Sequence, residues 1–188
     1  MQKMKSFVLL SVLLNFYCSP PSYLESDPNF SYGLESILSY KGKVFTGLQV
    51  SPYPYGVTRT AEFKDGLQDG RTFDVHQNGQ LMSEYFYSAG KKVGIHKGWY
   101  ENGNPRFWFE YNDKGESNGH HWEWQEDGRV YSISAYDNGK LIGQKIWRKD
   151  GLVYANTIYS TEKIYGVQGS KLCLTVKGDD SKKKTKSF

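Results

Sequence analysis

Residues 115–139 read Gly115-Glu-Ser-Asn-Gly119-His-His-Trp-Glu-Trp-Gln-Glu-Asp-Gly128-Arg-Val-Tyr-Ser-Ile-Ser-Ala-Tyr136-Asp-Asn-Gly139, and the glycine spacing of this stretch decides the fold. The spacing recurs on both sides. Gly66, Gly90, Gly115 and Gly139 lie 24, 25 and 24 residues apart, and Gly70, Gly94, Gly119 and Gly143 repeat those steps. Gly79, Gly103, Gly128 and Gly151 follow at 24, 25 and 23, each trailed eight residues later by Tyr87, Tyr111, Tyr136 or Tyr159. Interlocked series at one period mark a tandem repeat. Asn78-Gly79, Asn102-Gly103, Asp127-Gly128 and Asp150-Gly151 suit two-residue hairpin turns, whose central positions both need positive φ. The flanks are rich in β-formers, as in Arg71-Thr-Phe-Asp-Val-His76 and Arg129-Val-Tyr-Ser-Ile-Ser-Ala-Tyr136. One unit is thus one β-hairpin, and the Gly-x3-Gly links turn the chain into the next. The pattern predicts an all-β protein, an elongated single antiparallel sheet of four to five repeats of about 24 residues.

Composition agrees. The 188 residues are 38% hydrophobic, 23% charged and 16% aromatic, with 20 glycines, which excludes a disordered chain and a helical bundle. A mean hydropathy of -0.66 predicts a thin, aromatic core. A single-layer sheet cannot bury both faces. Phe73, Trp99, Trp108, Trp122, Trp124 and Trp147 are therefore expected to pack between neighbouring hairpins, with a partly exposed aromatic face as the alternative.

Stretches such as Tyr100-Glu-Asn-Gly103-Asn, Tyr136-Asp-Asn-Gly139-Lys-Leu-Ile-Gly143 and Trp147-Arg-Lys-Asp-Gly151 resemble MORN repeats, in the bacterial variant also found in YwqK-like proteins. The resemblance covers residues 40–160 and implies a twisted, elongated sheet of hairpins, while saying almost nothing about activity. Tyr40-Lys-Gly42-Lys-Val-Phe45-Thr-Gly47 opens a degenerate fifth unit. Residues 48–60, with Pro52 and Pro54, depart from the pattern, which leaves open whether that first hairpin forms. After Tyr159 the period breaks, and residues 161–176 read as a capping hairpin with Cys173 packed beneath it.

The ends read as an address. Lys3 and Lys5 precede the apolar run Phe7–Leu14, which is too short to span a bilayer and suits a secretory signal. Cys18 closes this segment before Ser19-Pro20-Pro21-Ser22, an arrangement that resembles a bacterial lipoprotein signal. That resemblance implies a diacylglycerol on the Cys18 thiol, although Phe16 and Tyr17 are bulkier than the residues usual there. Residues 1–18 are thus expected to be a signal peptide and residues 19–39 a flexible tether. Residues 177–188, with Lys182, Lys183, Lys184 and Lys186, are expected to be a solvated basic tail. The implied location is the cell envelope, lipid-anchored, with a secreted or periplasmic protein as the alternative.

Charge and chemistry narrow the function. Residues 61–159 carry twelve basic and fourteen acidic groups, which argues against a nucleic-acid groove. Two cysteines exclude a disulfide framework, and no cofactor motif appears. His120 and His121 precede Trp122-Glu-Trp124, yet adjacent strand residues point to opposite faces and make a shared metal improbable. His121 and Glu123 would share a face without a third ligand nearby. No nucleophile elbow or phosphate loop is present. The expectation is a non-enzymatic, membrane-tethered module that binds a protein or envelope partner through its sheet, without cofactor or metal. The alternatives are a carbohydrate- or lipid-headgroup-binding module using Trp99, Trp108, Trp122 and Trp124, and, by the YwqK resemblance, an antitoxin-like component.

Overall fold

The computed structural model describes residues 21–160 and 163–168. They form an all-β fold of sixteen strands, with no α-helix among the described residues. The first four strands are short: β1 (Ser22–Leu24), β2 (Phe30–Tyr32), β3 (Leu38–Tyr40) and β4 (Lys43–Val44). The repeat region follows with β5 (Gly47–Pro52), β6 (Thr58–Lys64), β7 (Leu67–Val75), β8 (Leu81–Ser88), β9 (Lys91–Lys92) and β10 (Gly94–Trp99). It continues through β11 (Pro105–Tyr111), β12 (Gly119–Trp124), β13 (Val130–Asp137), β14 (Lys140–Trp147), β15 (Val153–Tyr159) and β16 (Ile164–Gln168). Thirteen strands make one sheet in the order β1-β5-β6-β7-β8-β10-β11-β12-β13-β14-β15-β16, with β9 also on β8. At a strand spacing of about 4.8 Å this path is about 50 Å wide, roughly twice the length of its strands.

The repeat holds, but its two kinds of turn are exchanged. Positive φ at two consecutive positions occurs in the links, at Lys41-Gly42, Asp65-Gly66, Ala89-Gly90 and Asn138-Gly139. At Asn78-Gly79, Asn102-Gly103, Asp127-Gly128 and Asp150-Gly151 only the glycine is left-handed, with φ of 86° at Gly79 and 84° at Gly103. There the loop has three residues. The Gly79 amide donates to the His76 carbonyl at 2.9 Å, and the His76 amide donates to the Gln80 carbonyl at 2.8 Å. The Asn78 carboxamide accepts from the Gln80 amide at 2.9 Å, so the asparagine serves by its side chain. The 25-residue step has the same cause. Its link closes from Asn112 to Glu116 around three residues, where the other links use two.

A β-bulge follows each Asn-Gly or Asp-Gly turn. Register shifts fall between Asp74 and Val75, Gly98 and Trp99, Glu123 and Trp124, and Ile146 and Trp147. Met82, Arg106, Tyr131 and Tyr154 are left as the extra residues on the second strands. Pro105 sits at one of these shifts, where the ladder can do without its missing N–H.

The segment expected as a tether over 19–39 is folded from Ser22 onward. β1 adds to β5 in parallel, Ser22 opposite Leu48 and Leu24 opposite Val50, and β2, β3 and β4 make a second, three-stranded sheet. The hairpin repeats all lie in the one large sheet that was expected, and this small sheet is additional to it. The reason is aromatic packing: Leu38, Phe45, Ala61 and Phe63 are buried, with Tyr23, Phe30 and Tyr40 against them. Tyr23, Phe30 and Phe45 meet edge to face at 5.0–6.4 Å. The first hairpin forms as well, with β5 antiparallel to β6 from Gly47 opposite Phe63 to Pro52 opposite Thr58. At the other end β16 pairs with β15. The rest of the expected cap with Cys173, the basic tail, and the signal with Cys18 lie outside the described residues.

The two faces of the large sheet differ in an unexpected way. Register puts Asp74, Ser83, His96, His121, Ser132, Ser134 and Thr157 on one face, where all are buried. The tryptophans expected between hairpins lie on the opposite face and are only half-buried. No second layer covers the polar face of the repeats among the described residues. A bulge in every repeat increases the local twist, and the rings of Tyr87, Tyr111 and Tyr136 pack against the histidines of this face.

Candidate functional site

On the outer face the four tryptophans read from the sequence come together. Trp108 lies directly opposite Trp122 in register, and Trp122 stacks on Trp124 at 6.0 Å with 15° between their planes. Trp99 pairs with Pro105, Trp124 with Val130 and Trp147 with Val153. Trp99, Trp124 and Trp147 stand at the same place in three successive hairpins, two strands and so about 9.6 Å apart. Val75 opposite Leu81 continues the row into the preceding hairpin. The Lys97 ammonium lies 4.6 Å from the Trp108 ring centroid and the Lys145 ammonium 5.0 Å from that of Trp147. Two shallow clefts open here, one of about 400 Å³ along Trp108, Glu110, Trp122 and Trp124, the other of about 310 Å³ between Trp99, Pro105 and Trp108.

The inner face carries a column of rings. Tyr87, His96, Tyr111, His121 and Tyr136 follow one another with centroids 5.7, 4.6, 5.5 and 4.5 Å apart. His96 Nε2 lies 2.9 Å from the Phe86 carbonyl and His121 Nε2 the same distance from the Glu110 carbonyl. A carbonyl only accepts, so each Nε2 carries a proton and donates it. Burial pushes both imidazoles below the ordinary histidine pKa. Their role is packing between repeats.

Beside this column the Asp74 carboxylate accepts two hydrogen bonds from Arg59, at 2.6 and 2.8 Å, and one from Ser83 at 2.6 Å. Burial acts to raise its pKa, but the Arg59 and Ser83 hydrogen bonds outweigh burial and hold it below the usual carboxylate range. The arrangement keeps a charged group inside the sheet with its lone pairs occupied.

The bulges build a cleft that the sequence did not announce. Near the Asn-Gly and Asp-Gly turns a cavity of about 850 Å³ is lined by Tyr100, Gln125, Arg129, Tyr131, Trp147 and Tyr154, among others. It shares Tyr100, Gln125 and Tyr131 with a neighbouring groove of about 550 Å³ that reaches His96, Arg106 and Phe109. Tyr131 and Tyr154 are 44% and 48% exposed. Tyr100 is fixed, its hydroxyl donating to the Trp124 carbonyl at 2.7 Å. The signal for this cleft was present as the residues two after each turn glycine's successor, but a bulge cannot be seen in a glycine count.

Register places His120 and His121 on opposite faces, with His121 and Glu123 on the same one. The Glu123 carboxylate accepts from Ser132 at 3.0 Å and is not drawn to His121. Among the described residues no three His, Cys, Asp or Glu side chains converge on a common point suited to a metal ion. No family model and no curated protein matches the chain.

Proposed function

We propose that the chain is a non-catalytic, membrane-tethered binding module of the MORN-repeat type, which takes a protein partner of the cell envelope on its tryptophan-bearing face. The observation that carries this reading is the apolar row from Val75 and Leu81 through Trp99, Pro105, Trp124 and Val130 to Trp147 and Val153. It crosses four hairpins in register, and nothing among the described residues packs over it. Partly buried tryptophans in a row are what protein interfaces favour as anchors, because a partner completes a burial the sheet has begun. Lys97, Lys145 and Glu110 give the row a charged border. The lipoprotein-like signal that ends at Cys18 supports the same reading, since a lipid there would hold the row close to other envelope proteins.

Crosslinking in the native envelope, followed by identification of captured proteins, tests this. The wild-type chain should capture a defined partner, and the Trp99→Ala/Trp124→Ala double variant should lose it while keeping its β-sheet circular dichroism. Capture undiminished by the double variant would remove the tryptophan face from the account. Cys18→Ser should abolish lipid labelling and detergent partitioning, and a wild type found unlipidated in the cytoplasm would overturn the address.

A further inference from the structure

We propose that the turn-end cleft is an oligosaccharide site, with Tyr131 and Tyr154 as its stacking platforms. Two successive bulges leave these residues outside the ladder, and both line the cleft of about 850 Å³. Each stays nearly half exposed, although a flat aromatic surface of that size gains by being covered. They sit on strands two apart, so the rings recur at roughly 9.6 Å across the sheet. Sugar rings joined end to end in an extended chain place every second ring at a comparable distance. A tyrosine face matches the apolar C–H face of a pyranose, and its hydroxyl leaves the rim wet.

The polar lining has the matching chemistry. Gln125, Glu126 and Arg129 offer an amide, a carboxylate and a guanidinium, planar groups that bridge neighbouring hydroxyls with paired hydrogen bonds. Arg129 is already set in place. Its Nε and Nη2 donate to Asp127 at 2.9 and 2.6 Å, and Nη1 donates to the Lys149 carbonyl at 2.6 Å. The guanidinium therefore loses little freedom on binding and keeps further N–H groups for a ligand. A peptide is the poorer fit. Under Tyr131 the cleft lies over β12 to β14, inner strands with a neighbour on each side that offer no edge for an added strand.

The full-length protein in detergent micelles, titrated by calorimetry with N-acetylglucosamine hexamer, cellohexaose and maltohexaose, provides the test. At least one hexaose should bind saturably and quench Trp147, which lines the cleft. Tyr131→Ala and Tyr154→Ala should each weaken binding about tenfold. Tyr131→Phe, which keeps the ring and the fold, should bind within about twofold of wild type. Trp108→Ala, outside the cleft lining, should leave binding unchanged. No saturable binding by any of the three hexaoses would overturn the proposal. So would Tyr131→Ala binding as wild type, or a proline-rich peptide occupying the cleft in their place. Because the tyrosine variants leave the tryptophan row intact, loss of sugar binding and loss of the captured protein are separable results.

Discussion

His96 and His121 hold neutral imidazoles inside the sheet, and this ties stability to pH. Each Nε2–H is spent on a backbone carbonyl, and each ring packs at a tilt between tyrosines of neighbouring repeats. Burial depresses both pKa values below the ordinary 6.5. Above that pH, folded and unfolded chains bind the same protons and the full stability is present. As pH falls below it, the unfolded chain takes up protons that the folded one refuses, so stability drains away toward the lower folded pKa. The melting temperature should thus be flat well above pH 6.5 and fall as the pH drops below it. Asp74, whose carboxyl is held low by Arg59 and Ser83, acts in a separate and more acidic window, losing its contribution as pH drops through its own folded pKa. His96→Gln keeps a donor for the Phe86 carbonyl and removes one titration, so it should shallow the first slope without touching the second. An unaltered slope in that variant would mean that other groups govern the response.

Turns and bulges decide how the hairpins meet. Gly103 has φ of 84°, and a Cβ built there touches nothing within 4 Å, so a side chain at this position meets only backbone strain. Gly103→Val should cost about 1–2 kcal/mol, read from urea unfolding, and Gly103→Asn clearly less. Equal melting of wild type and Gly103→Val would deny the left-handed turn. The 24-residue grammar was legible because glycine is demanded wherever a link or turn goes left-handed. The turn class was not, because Asn-Gly satisfies both a two-residue loop and the last two positions of a three-residue one. Asp113 is the surplus residue of the longer link, whose loop otherwise reads Lys114-Gly115 as the first link reads Lys41-Gly42. Deleting Asp113 should convert that link to the two-residue class and leave a folded protein melting within a few degrees of wild type. Unfolding of the deletion variant would show that the longer loop is required. The candidate sites were legible in unequal measure. Trp99, Trp108, Trp122 and Trp124 stood out by residue type, and alternation put them on one face. Tyr131 and Tyr154 did not, because alternation fails at the bulge that aims them. The buried face escaped for a different reason, since Thr72, Ser83 and Ser132 are buried yet carry no hydrophobic signal.

Across the full width of the sheet, apolar burial is concentrated at one end. Leu38, Phe45, Ala61 and Phe63 form the buried hydrophobic cluster, and the three-stranded sheet exists to close it. Pro and Ser around residues 19–28 suggested a tether, but composition could not register that Tyr23 and Phe30 pack on Phe45. Farther along, each hairpin touches only its neighbours, as the linear strand order requires. Such an array behaves as a row of coupled units in which damage spreads by nearest-neighbour contact. Leu38, fully buried, makes a local probe of this. Leu38→Ala should cost about 3–4 kcal/mol where it acts, by lost burial and the cavity left behind. Hydrogen exchange should then accelerate in β3, β5, β6 and β7. The amides of β12, β13 and β14, at least five strands from β6 along the sheet, should keep their protection to within about 1 kcal/mol. A uniform loss reaching β14 would instead make the sheet one cooperative body, and the tryptophan row and the tyrosine cleft would share their stability with an aromatic cluster at its far end.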